Sequence, residues 1–254
     1  MYFFVSLTQG NLPSKSLKKG ESLQKTPKTS FIFMNSDQFV PLNHDIRNKE
    51  ELLKSSEHFR KLMESRRSVR TYSDEDVPKE VIENIIMTAS SAPSGAHKQP
   101  WTFCVVSDPD IKKKIRDAAE KEEYENYHGR MTDEWLKDLE KFDTNWHKEF
   151  LTTAPYIIVM FKKAYNLDEL GAKHKNYYVS ESVGIAAGFL IAAIHMAGLV
   201  TLTHTPSPMN FLQEILCRPE NERPFLLLPV GYPAKKTVVP YLIRKTQDEV
   251  SLWY

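Results

Sequence analysis

Val183–Val200 reads VGIAAGFLIAAIHMAGLV, 18 residues without a formal charge, which is the lower edge of a membrane span. Its composition argues for a different place. Eight of the 18 are Gly or Ala, and His195 lies inside the run. Gly184, Gly188 and Ala192 recur every four residues, and Ala193 and Ala197 form a second such pair. That spacing lets another helix approach closely, in lipid or in a protein core. With one such segment and no basic flank, we read Tyr178–Val200 as the central buried helix of a soluble domain and as a candidate dimer core.

The flanking sequence sets the fold class. Pro155 precedes an apolar run at Tyr156–Phe161, and Thr201–Thr205 and Phe225–Val230 read as further strands, the last followed by the turn Gly231-Tyr232-Pro233. Upstream, Lys49–Ser65 carries a rough apolar helical face. Pro78 reads as the first helical residue before Val81, Ile82, Ile85, Ile86 and Ala89. Pro93-Ser94-Gly95 ends that helix, and Trp101–Val106 is a short strand. Asp108 is an N-cap with Pro109 at the first turn. The stretch that follows, Asp110–Lys148, is dense in both charges and broken near His128-Gly129. The expectation is a flexible arm over residues 1–45 and one mixed α/β domain over 46–254.

Composition excludes several functions. The 254 residues carry a formal charge of +1, so no general affinity for nucleic acid or acidic membrane is expected. Only nine glycines are present, and neither G-x-G-x-x-G nor G-x-x-x-x-G-K-[ST] occurs, so phosphate is not held by a Gly-rich loop. The histidines lack metal-ligand spacing and no C-x-x-C occurs, so no metal site is expected. Cys104, in an apolar strand, reads as a buried reduced thiol.

Three constellations can carry chemistry. Arg66-Arg67-Ser68-Val69-Arg70 offers three guanidiniums and a hydroxyl within five residues, which suits a phosphate, although cations at a helix end also satisfy the helix dipole. Ala92–Trp101 (APSGAHKQPW) supplies small residues that let a planar ligand lie against the backbone; a plain helix-to-strand turn would look similar. Glu123 and Tyr127 share a helix face at i, i+4 and, with Lys148, can grip an amino acid zwitterion, or form no more than a solvated charged face.

Together these stretches resemble the nitroreductase superfamily and, within it, the branch that dehalogenates iodotyrosines. The resemblance runs from about Phe59 to Arg244. It rests on RRSVR (66–70), TASSAPSGAHKQPW (88–101), TNWHKEFL (144–151), the stretch 180–205 and LLLPVGYP (226–233). It implies a nitroreductase-like α+β fold: a central, mainly antiparallel sheet flanked by helices in a homodimer that exchanges terminal segments, with two FMN sites at its interface. Arg66, Arg67, Ser68, Val69, Arg70 and Arg244 would hold the FMN phosphate and ribityl chain, and Ser94 and Gly95 would lie along the flavin. Thr203, His204 and Thr205 would border its reactive edge, with the Thr205 hydroxyl on N5 and the His204 side chain either tuning redox behaviour and the pH profile or facing away. The Ala96 N–H would meet the substrate phenolate. Glu123, Tyr127 and Lys148 would close over the amino acid end as part of a lid at about 110–148.

The activity so implied converts 3-iodotyrosine and 3,5-diiodotyrosine to tyrosine and iodide. NADPH is the ultimate electron source, directly or through a partner reductase. Two rivals are a general FMN-dependent nitro or quinone reductase and a flavin- or halotyrosine-binding protein without turnover. No anchor like that of the vertebrate members is visible, which sets the expectation of a soluble, cytoplasmic protein without membrane attachment.

Overall fold

The computed structural model describes residues 39–254. The chain divides after Arg47. Residues 39–47 are exposed and form no helix or strand; the rest of the expected arm lies outside the described residues.

From Asn48 onward the order is α1 (Lys49–Ser65), α2 (Lys79–Ser90), β1 (Trp101–Val106), α3 (Pro109–Glu125), a π-helical turn (Asn126–Arg130), α4 (Asp133–Glu140) and α5 (Phe150–Thr153). Then come β2 (Tyr156–Lys163), the hairpin β3 (Tyr165–Leu167) and β4 (Lys173–Lys175), α6 (Val179–Met196), β5 (Val200–Thr201), α7 (Asn210–Ile215), β6 (Glu222–Gly231) and α8 (Gln247–Val250). Four strands form one sheet in the order β1-β2-β6-β5, each pair antiparallel, and a single parallel bridge joins Ser68 to Thr201.

Both faces of this sheet are covered, which is why β2 is apolar without alternation. Ile158 and Met160 pack with Leu228 and Val230 against α2 and α6. Ile157, Val159 and Phe161 pack with Leu227 on the other face, against Ile115 and Ala119 of α3, Leu151 of α5 and Leu212 of α7. Cys104 is half-buried, short of the full burial expected, and burial still pushes its thiol pKa up.

Three element boundaries differ from the sequence reading. Pro78 takes the N-cap position with ψ 135°, one residue before the helix it was expected to begin. α6 stops at Met196 because Gly198, at φ +80°, closes the helix end by donating its N–H to the His195 carbonyl at 3.0 Å. The strand expected over Thr201–Thr205 is reduced to Val200–Thr201. The next partner on β6 is Pro229, which has no N–H to give, and the Thr201 hydroxyl takes its carbonyl at 2.8 Å instead.

α6 is apolar on opposite faces. Val183, Ala186, Ala187, Leu190 and Ile194 are buried in the core, whereas Gly184, Ile185, Gly188, Phe189 and Met196 are exposed. It is the one helix among the described residues long and apolar enough to cross a membrane.

Beyond the apolar core, β6 begins with a buried charge. Glu222 is 2% exposed and accepts from Thr102 Oγ1 and Arg218 Nε, each at 2.7 Å, with Lys163 Nζ at 3.5 Å. Burial raises its pKa, but Arg218, Thr102 and Lys163 outweigh that and hold it below the usual value. A carboxyl depressed in the folded state stabilises the fold above its unfolded pKa of about 4.3, and the gain is lost as pH falls through the folded value. Glu222→Gln is expected to cost about 3 kcal/mol near neutral pH, the low end for a buried pair because the cations are partly exposed, and to flatten the acid loss of stability. Urea unfolding of both proteins, near pH 7 and near pH 4, checks this.

Candidate active site

Arg66 to Arg70 run from the end of α1 across the edge of β5. Val69 is buried, donates its N–H to the Thr201 carbonyl at 3.2 Å and accepts from the Tyr72 hydroxyl at 2.9 Å. Extended backbone alternates its side chains, so Ser68 and Arg70 face the opposite way, toward a cavity of about 280 Å³ that Arg66, Arg67 and Arg244 also line. Val69 itself does not line this cavity. Arg244 is held by the Glu64 and Arg66 carbonyls at 2.9 and 3.0 Å, and Arg67 donates to the Pro240 carbonyl. None of the four guanidiniums has a carboxylate among the ion pairs of the described residues. Burial, then the charges of Arg244 and Arg67, lower the Arg66 pKa. Four convergent cations without a counter-ion fit a phosphate dianion.

A second cavity of about 450 Å³ is also lined by Arg70. Glu123, Tyr127 and Lys148 line it together with Thr203, His204 and Thr205. α3 explains why Glu123 points inward: its buried stripe, Lys112, Ile115, Ala119, Glu123, continues the face that packs on the sheet. Glu123 and Lys148 are 7% and 4% exposed and pair at 3.1 Å. The Lys148 ammonium also donates to the Asn145 carbonyl and lies 5.5 Å from the Tyr127 ring centre. Burial lowers its pKa, and Glu123 offsets part of that. Burial raises the Tyr127 pKa, against a hydrogen bond with Thr144 that lowers it.

His204 lines this second cavity as well. Its backbone exchanges hydrogen bonds with Leu227 at 2.8 and 3.1 Å, and its ring meets Phe150 edge-on at 5.5 Å. Its Nε2 is buried without a hydrogen-bond partner among the described residues. Burial, then Lys148 and Arg70, push the imidazole pKa down to about 3, so it is neutral at ordinary pH.

Ser94, Gly95 and Ala96 line neither cavity. Their loop lies against the start of α6, with Gly95 N–H on the Ser182 hydroxyl at 3.3 Å. A Cβ on Gly95 would come within 2.9 Å of the Tyr177 carbonyl, so only glycine allows this approach. Ala96 and His97 follow at φ 49° and 54°, left-handed values that cost free energy outside glycine and cluster at functional sites.

Sequence reasoning missed three contributors. Asn126, buried in the π-helical turn, donates to the Ser207 carbonyl at 3.0 Å and ties that turn to the loop after Thr205. Thr144 and Phe142 were also passed over; the Phe142 ring lies 5.8 Å from the Arg70 guanidinium. Thr144 stands at the head of the TNWHKEFL stretch, so that stretch carried the signal.

The chain belongs to the nitroreductase family, whose model matches residues 63–232. Within that family it groups with the iodotyrosine deiodinases. It is 62% identical to iodotyrosine deiodinase from Haliscomenobacter hydrossis, over 89% of this chain and 99% of that one. To iodotyrosine deiodinase 1 from Homo sapiens it is 45% identical, over 93% and 83%. Among solved structures it is similar to oxidized iodotyrosine deiodinase bound to FMN and 3-iodo-L-tyrosine, with a TM-score of 0.66 and 28% identity, covering 77% of this chain and all of that one.

Proposed function

We propose that the protein is an FMN-dependent enzyme that removes iodide reductively from 3-iodotyrosine and 3,5-diiodotyrosine, yielding tyrosine. The observation that carries this reading is the second cavity, which the Glu123–Lys148 pair lines together with Thr203–Thr205 and which shares Arg70 with the arginine-lined cavity.

Arg66, Arg67, Ser68, Arg70 and Arg244 hold the FMN phosphate and ribityl chain. Bound FMN supplies the two electrons that, with a proton, replace the carbon–iodine bond by carbon–hydrogen and release iodide. Thr205 presents its hydroxyl to the reactive edge. Glu123 takes the substrate ammonium and Lys148 its carboxylate, so a zwitterion between them replaces one ion pair by two. Tyr127 closes beside them. This remote binding energy orders the lid and excludes water. α3 is rooted in the core by Ile115 and Ala119, so closure falls to residues 126–147. The Ala96 N–H meets the phenolate and stabilises it.

Ser94–Ala96 reach a site only if a second copy supplies them, so the reading includes a homodimer with exchanged terminal segments. The exposed face of α6 supports that arrangement, as do the exposed Tyr241, Ile243 and Trp253 of the C-terminal segment. NADPH is the ultimate electron source, directly or through a partner reductase. A cytoplasmic location fits the two free cysteines. Dithionite reduction of FMN-loaded protein under anaerobic conditions, followed by 3-iodotyrosine, is expected to yield stoichiometric iodide and tyrosine. Intact iodotyrosine after full reduction would refute the reading.

A further inference from the structure

Each clamp residue is next in sequence to an aromatic ring: Glu123 to Tyr124, Tyr127 to His128, and Lys148 to His147. With Trp146, these neighbouring rings form one continuous stack. Tyr124 and His128 stack at 4.0 Å with 25° between planes, and Tyr124 meets Trp146 edge-on at 5.4 Å. Trp146 in turn lies 3.5 Å from His147. His128 Nδ1 is 2.7 Å from the Tyr124 carbonyl; a carbonyl only accepts, so Nδ1 carries the proton and the ring is held at that end of the stack.

The stack joins two segments that no backbone–backbone hydrogen bond connects among the described residues: the end of α3 with its π-helical turn, and the run 141–149. On the core side of Lys148 the join is polar, its N–H donating to Glu120 Oε1 at 2.7 Å. On the other side the Tyr127–Thr144 hydrogen bond and the rings make the connection. Offset and edge-on aromatic pairs stabilise beyond their burial and impose a geometry.

We propose that Tyr124, His128, Trp146 and His147 are positioning residues: their stack sets the distance of Lys148 from Glu123 and Tyr127, and so the preference for halophenols that carry an amino acid over bare halophenols. This rests on the reading above, in which the clamp grips the amino acid end. A misplacement of about 1 Å in such a constellation lowers rates about a hundredfold when it reaches the chemistry. Here it reaches the remote grip, so the loss falls on substrate binding.

The test compares FMN-loaded wild type, Tyr124→Leu, Tyr124→Phe and Trp146→Leu on 3-iodotyrosine and on 2-iodophenol, which lacks the amino acid end. Both leucine variants are expected to raise KM for 3-iodotyrosine about tenfold with kcat little changed, while kcat/KM for 2-iodophenol stays within about twofold. Tyr124→Phe, which keeps the ring, is expected to match wild type. An unchanged KM in both leucine variants, an equal fall for both substrates, or no rescue by phenylalanine overturns the proposal. If Tyr124→Leu does not fold, Trp146→Leu breaks the same stack from the loop side and decides the matter. Wild type that releases no iodide from 3-iodotyrosine defeats the functional reading itself, a result separate from any variant effect.

Discussion

Lys148→Met is expected to lower kcat/KM for 3-iodotyrosine by about one to two orders of magnitude and to weaken the fold at the same time. Losing the charge-assisted bond to the substrate carboxylate costs about 1.5–3 kcal/mol, which is roughly a tenfold to hundredfold effect. The fold suffers because Glu123, 7% exposed, is left without its 3.1 Å partner. Stranding a buried charge in this way costs about 3–5 kcal/mol. The two losses separate in the double variant Glu123→Gln/Lys148→Met, which removes the stranded charge. It is expected to regain most of the stability and none of the catalytic efficiency. Urea unfolding and iodide-release kinetics on the three proteins check both halves. Because burial lowers the Lys148 pKa, this residue loses its proton at a lower pH than an exposed lysine. KM for 3-iodotyrosine is therefore expected to rise with pH before ordinary lysines titrate. A KM for 3-iodotyrosine unchanged in Lys148→Met would remove the clamp from the site.

Gly188→Leu is expected to convert the protein to a monomer that no longer retains FMN. Glycine in the middle of a helix costs about 1 kcal/mol relative to alanine, yet α6 carries Gly184 and Gly188 mid-helix. Among the described residues nothing asks for them: a Cβ at either position meets no atom within 4 Å. Both lie on the exposed face with Ile185 and Phe189. In the proposed homodimer the missing side chains leave room for the same helix of a second copy to pack against that face. A leucine at 188 fits the isolated chain and improves its helix propensity, while it blocks the approach of a second copy. Light scattering for mass and flavin absorbance after gel filtration read the outcome. A dimer that keeps its FMN after Gly188→Leu would show that this face is not the interface.

Much of the fold was legible in linear order because its signals are local. Asp108 capping α3, the bounds of α1 and β1, and the apolar runs of β2 and β6 follow from caps and from burial on both sheet faces. The short β3–β4 hairpin and β5 were misread or missed. A two-residue pairing such as Val200–Thr201 depends on which strand lies alongside, and Pro229, which ends it, sits 28 residues away in sequence. The arginine cluster was visible as RRSVR, whereas Glu123 and Tyr127 with a distant Lys148 read equally well as a solvated charged face, and only the resemblance gave them a binding role. The sequence did not reveal that Glu123, Tyr127 and Lys148 line one cavity together with Thr203, His204 and Thr205.

What the sequence determined by itself is chemistry: which side chains carry charge, which helix is apolar throughout, and that phosphate, if held, is held by arginines. What only the tertiary structure decided is adjacency. The stripe that seats Ile115 and Ala119 in the core forces Glu123 inward, and the turn of residues 141–148 brings Lys148 to 3.1 Å from it. Two opposite charges far apart in the chain are ordinary surface groups when solvated. Packed together away from water they become a pair that is costly to break and able to hold a zwitterion, and no local pattern of residues encodes that burial.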